Sequence, residues 1–186
     1  MDTAEKPKKK FQYIILIPHR DALRELEKYR QKLFSLGFNG AYSFPLCAPL
    51  ASISRPFSRE ELKELAKNIR KLSLESEGNL VCGENAIISY TEELYFFGPK
   101  LNININELQF NTEARSKFLS NFSPPIICTA LVKGEPEKIE QIPELSFRAA
   151  CLASLVIRPL AEAELSFEWK MSPPVWLTSH RKLLHF

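Results

Sequence analysis

Two stretches about a hundred residues apart carry nearly the same text. Leu50-Ala51-Ser52 runs on to Arg55-Pro56-Phe57, and Leu152-Ala153-Ser154 runs on to Arg158-Pro159-Leu160, with one extra residue before the second Arg. Each copy sits where apolar alternation reads as a β-strand. So long a period does not build a solenoid; it suits one domain of two similar lobes, each lending a strand to a shared groove. Side chains alternate along a strand, so Leu50 and Ser52 are expected on one face, and Leu152 and Ser154 likewise. The groove then holds two hydroxyls among apolar groups, with Arg55 and Arg158 at the strand ends.

The remainder of the chain reads as α+β. Phe11 to Ile17 is almost continuously apolar and is closed by Pro18, the pattern of a central strand buried on both faces. Asp21 opens an amphipathic helix in which Leu23, Leu26, Tyr29, Leu33 and Leu36 recur at steps of three or four, and Gly37 stands where that helix stops. Ala41 to Arg55 contains two short strand candidates. Ser58-Arg59-Glu60-Glu61 is a capping box, and Leu62, Leu65, Ala66, Ile69 and Leu72 form the buried stripe of the helix it starts. Asn79 to Pro99 predicts an antiparallel pair of strands, and Thr112 to Phe122 a short helix ended by Pro124-Pro125. Further strands are expected at Ile126–Val132, Phe147–Ile157, Glu164–Lys170 and Val175–Thr178, with Lys133–Glu144 as a loop.

Met1 to Lys10 is a basic tail, expected to be flexible, and residues 11–186 read as a single bilobal domain. Its lysines either stay solvated or touch phosphate. No apolar run approaches the roughly 18 residues that cross a bilayer, which excludes a membrane-spanning helix. The tail has no apolar segment of the kind a secretory signal needs, so a cytoplasmic location is expected. A formal net charge of +3 permits an anionic partner without demanding one. Cys47, Cys82, Cys128 and Cys151 lie far apart with no metal-ligand spacing, which predicts buried, reduced thiols and no metal or other cofactor. The histidines, His19, His180 and His185, read as surface residues. The glycines never cluster into a phosphate loop, and neither serine of the repeat lies in a nucleophile motif. Most of Phe96, Phe97, Phe110, Phe118 and Phe122 are expected in the core.

The repeat, the opening run from Tyr13 through Pro18-His19-Arg20-Asp21 into a helix, and the strand that leads into Pro56-Phe57-Ser58 and a second helix together resemble the 2H phosphoesterase superfamily. That superfamily includes the LigT-like RNA 2′,3′-cyclic phosphodiesterases and the animal 2′,5′-phosphodiesterases. The resemblance implies a bilobal, pseudo-symmetric fold in which the antiparallel sheets of two lobes face a central groove and the helices pack outside. The family's two His-x-Thr/Ser motifs fall on Leu50-Ala51-Ser52 and Leu152-Ala153-Ser154, so both histidines are leucine here. Leucine cannot accept or donate a proton, a role worth about 10² to 10⁴ in rate for each imidazole. The expectation is a catalytically inactive protein that keeps a groove for a nucleotide, an RNA end or another small phosphorylated ligand. Leu50, Ser52, Arg55, Leu152, Ser154 and Arg158 would line it. In that groove the serines either hydrogen-bond a ligand or satisfy backbone groups, and the arginines either grip phosphate or pair with helix carboxylates. Two alternatives stand beside it: a protein-interaction scaffold whose apolar groove takes a partner or a second copy, and a phosphodiesterase or RNA ligase-like enzyme working through other residues.

Overall fold

The computed structural model describes residues 11–75, 80–90, 93–101, 118–121, 125–134, 145–147, 149–160 and 165–177. They form an α+β structure of two antiparallel sheets and two helices. The first sheet is built around β1 (Phe11–Pro18), with β2 (Ala48–Ile53) on one side and β8 (Ala149–Pro159) on the other. Beyond β2 lies β5 (Phe118–Asn121); the outer edge of β8 is shared by β9 (Phe167–Met171) and β10 (Val175–Trp176). The second sheet runs in the order β6 (Ala130–Lys133), β4 (Leu94–Leu101), β3 (Leu80–Ser89), β7 (Leu145–Phe147).

β1 is apolar from Tyr13 to Pro18 because both of its faces are covered. Ile14 and Leu16 enter a core with Leu62, Leu65, Ala66 and Ile69 of α2 (Arg59–Glu75), while Tyr13 and Ile15 enter the core between the two sheets. In that second core Tyr13, Phe44, Tyr90 and Phe96 pack ring against ring, and Tyr13 and Phe96 meet edge to face at 6.2 Å. The space between the sheets is thus filled by the chain's own side chains.

α1 (Arg20–Ser35) buries Ala22 and Leu26 in the first core, and Tyr29 and Leu33 against Phe97, Ala130 and Val132 on the far face of the second sheet. It stops as its sequence predicts: Gly37 takes φ 95°, a left-handed conformation natural to glycine, and Phe38 N–H returns to Leu33 O at 3.1 Å. Leu36 belongs to the cap and is exposed, outside the buried stripe the sequence assigned to it. Gly98 lies where the 125–129 segment crosses β4, and a Cβ there would sit 1.7 Å from Ile127 O. Only glycine allows the backbone that approach.

Four expectations change. Ala41 to Arg55 contains one strand, preceded by a 3₁₀ turn at Asn39–Tyr42, because the backbone there bonds locally, Ala41 N–H to Phe38 O at 2.9 Å and Ser43 N–H to Gly40 O at 3.2 Å, instead of to a neighbouring strand. Phe118–Asn121, expected within a helix, is a strand that satisfies the open hydrogen-bonding edge of β2; residues 112–117 and 122 lie outside the described residues. The expected strand Phe147–Ile157 is two, β7 in the second sheet and β8 in the first. Both copies of the Leu-Ala-Ser text stand in the first sheet, flanking β1, and so are not divided one per sheet. No helix among the described residues is long and apolar enough to cross a membrane.

Candidate functional site

β8 pairs regularly with β1 through its copy of the repeat: Leu152 faces Leu16, Ala153 faces Ile15, Ser154 faces Ile14 and Leu155 faces Tyr13. Directly paired residues share a face, so Leu152 and Ser154 both lie under α2. Leu152 is fully buried and Ser154 is 2% exposed. The Ser154 hydroxyl accepts a hydrogen bond from Phe57 N–H at 3.2 Å, and Ser154 N–H donates to Ser172 Oγ at 2.9 Å. This serine ties the segment entering α2 to the segment before β10, which is the backbone-satisfying role open to it in the sequence.

The first copy is built differently. Ile14 faces Ala51 but Ile15 faces Pro49, so Leu50 is an extra residue in β2, a β-bulge. Leu50 still enters the core beneath α2, 1% exposed, but Ser52 stands opposite Tyr13 and hence on the face toward the second sheet, half-buried. The expected sharing of a face by Leu50 and Ser52 fails because one inserted residue shifts the alternation. The structure therefore gathers Leu50, Leu152 and Ser154 on one face and puts Ser52 on the other. The two leucines are covered by the helix of their own chain, each worth about 1.5 to 3 kcal/mol of burial. They do not line an open groove.

Arg55 takes the ion-pair alternative. Its Nη2 donates to Glu61 Oε1 at 2.9 Å and its Nη1 to Glu61 Oε2 at 3.2 Å. Glu61 also accepts from Ser58 N–H at 2.8 Å and donates its own N–H to Ser58 Oγ at 3.2 Å, completing the capping box that the sequence announces. Arg158 is exposed and stands opposite Glu168 across the β8–β9 pair. His19 occupies the N-cap position of α1 without a side-chain capping hydrogen bond, its Nδ1 3.3 Å from Asp21 Oδ2; His180 and His185 lie outside the described residues. Cys47, Cys128 and Cys151 are free and buried. Burial pushes all three thiols up, Cys151 to about 11, so they are protonated and unreactive at neutral pH. Phe96 and Phe97 are core residues.

The sequence reading passed over two cationic features. Arg30, on the buried side of α1, donates to Phe44 O at 2.8 Å and Cys128 O at 3.4 Å; desolvation lowers its pKa, and the bonds fasten α1 to the segments before β2 and β6. The second feature faces outward. Arg59, Lys63, Lys67 and Arg70 of α2, with Pro174, Val175 and Trp176, line a cleft of about 390 Å³. The steps of four, four and three residues keep these cations on one face of the helix. Arg70 hydrogen-bonds the carbonyls of Trp176 and Leu177 and so closes one end by joining helix to strand. Among the described residues, Arg59, Lys63 and Lys67 form no ion pair. The spacing of the cations was visible in the sequence, but the α2–β10 contact joins residues more than a hundred positions apart and left no local signal.

The chain matches no protein-family model, no curated protein and no solved structure.

Proposed function

We propose that this chain is a non-catalytic binding protein, built on a plan similar to that of the 2H phosphoesterases, that holds a phosphate-bearing anionic ligand in the cleft between α2 and β10. The observation that carries the reading is the row Arg59, Lys63 and Lys67, which lines one cleft without ion-pair partners among the described residues. Three like charges held on one helical face repel one another, and a bound anion relieves that repulsion while gaining charge-assisted hydrogen bonds. Leucine at both positions of the family's histidines supports binding without the family's hydrolysis. The face that carries Leu50, Leu152 and Ser154 is occupied by α2, so the ligand site lies on the outer side of that helix.

The test is a thermal-shift titration of the full chain with sodium tripolyphosphate. A ligand that binds only the folded state stabilises it by about 2.7 kcal/mol at a hundredfold excess over its dissociation constant. A dose-dependent rise in Tm is expected, and the double variant Lys63→Gln with Lys67→Gln should lose most of it. A flat titration, or an equal rise in the variant, overturns the reading.

A further inference from the structure

We infer that the occupant of the α2–β10 cleft is a single nucleic-acid strand in extended form, held by several successive internal phosphates. The inference rests on the phosphate-binding reading above and is carried by how the charges are laid out. A site for one terminal phosphate gathers its donors around a point. Here the cations form a row: Arg59, Lys63 and Lys67 follow one another at about 6 Å along the helix axis, and Arg59 to Arg70 spans about 16 Å. A line of point charges at that repeat matches a linear polyanion with one charge per unit better than it matches a compact ligand.

The surroundings of the row define a track. Arg59 to Glu75 contains five cations and four anions, so the helix has little net charge, yet the charges are sorted by face. On one side the row is bounded by the buried stripe Leu62, Leu65, Ala66 and Ile69, and on the other by Glu60 and Glu64, exposed farther round the helix. Across from it, Pro174 and Val175 supply an apolar wall. The cleft of about 390 Å³ lies between a helix and a two-residue strand, and its row offers a single line of cations, as one nucleic-acid backbone presents a single line of phosphates. A strand lying there offers its phosphates to the row, is repelled from the glutamate side, and needs no particular base. Affinity should therefore be largely independent of sequence and steeply dependent on salt.

The test is fluorescence anisotropy of a labelled twenty-nucleotide polypyrimidine strand with the full chain, across a range of salt concentrations. Three phosphate contacts predict a slope of log K against log salt near −2, since each contact on a single strand contributes about −0.7. Lys63→Gln with Lys67→Gln should bring that slope about 1.4 closer to zero. The tail variant Lys8→Gln, Lys9→Gln, Lys10→Gln should retain binding that is still sensitive to the cleft substitutions. Binding of tripolyphosphate but not of the strand overturns this inference and leaves the phosphate site standing, whereas binding of neither overturns both. Equal affinity for a blunt duplex, preferential binding to phosphatidylserine vesicles, or complete loss of strand binding in the tail variant also overturns it.

Discussion

β2 and β8 carry the same tripeptide, pair with the same central strand and bury the same leucine under the same helix, yet they dispose their serines oppositely. In β8 the ladder is regular, and Ser154 is drawn into the core as a tie between two segments. In β2 a bulge at Leu50 sends Ser52 to the other face. Identity of text over three residues therefore does not carry identity of place: the face a side chain takes is set by register against the partner strand. The leucines agree because the bulge falls at Leu50 itself, before the shift in alternation takes effect.

This difference predicts its own largest test. Deleting Ala51 lets Leu50 take the place opposite Ile14, keeps Ser52 opposite Tyr13, and removes the extra residue of the bulge. That variant should fold, at a cost of about 1 to 3 kcal/mol in urea denaturation. Deleting Ala153 from the regular strand turns every residue on one side of the cut to the wrong face, exposing leucines and burying polar groups. Its cost should exceed the roughly 5 to 15 kcal/mol that holds such a domain together, and circular dichroism should find no folded protein. Equal tolerance of the two deletions would mean that β2 and β8 do not differ in register.

Much of the scaffold was legible because its signals are local. The capping box at Ser58 and Glu61, the glycine stop at Gly37 and the doubly buried run of β1 each depend on residues within a turn or two of one another. The bulge was not legible, because Leu50-Ala51-Ser52 is as good a regular strand as Leu152-Ala153-Ser154. The cleft was half legible. The cations of α2 are visible at helical spacing, but the wall opposite them comes from β10, and only tertiary structure brings it there.

The next effect is smaller and separates the serines. Ser154→Ala removes the hydroxyl that accepts the buried Phe57 N–H and ties the α2 entrance to β8, a loss of about 1 to 3 kcal/mol. Ser52→Ala, at the half-buried serine of the first copy, should stay within about 0.5 kcal/mol of the parent. Chemical denaturation of the two variants side by side checks the order. A reversed order would mean that Ser52, not Ser154, is the hydroxyl the fold depends on.

The smallest effect concerns the arginines that close the two copies. Arg55 holds Glu61 through two hydrogen bonds, and Glu61, only 16% exposed, is the carboxylate that caps α2. Part of the pair's strength thus reaches the helix through the cap, beyond the bare Coulomb attraction of a surface bridge. Arg158 stands opposite Glu168 across the β8–β9 pair, both side chains exposed. Arg55→Gln should therefore cost about 0.5 to 1 kcal/mol and Arg158→Gln less than about 0.5 kcal/mol. A double-mutant cycle of Arg55→Gln with Glu61→Gln separates the pair from the cap, because Glu61→Gln keeps an acceptor for Ser58 N–H while removing the charge. The coupling should shrink at 1 M salt, where charges are screened beyond about 3 Å, while the cap's contribution persists. If Arg158→Gln proves the costlier of the two, the exposed end of β8, and not the capped entrance to α2, is the corner that the Arg-Pro text was placed to secure.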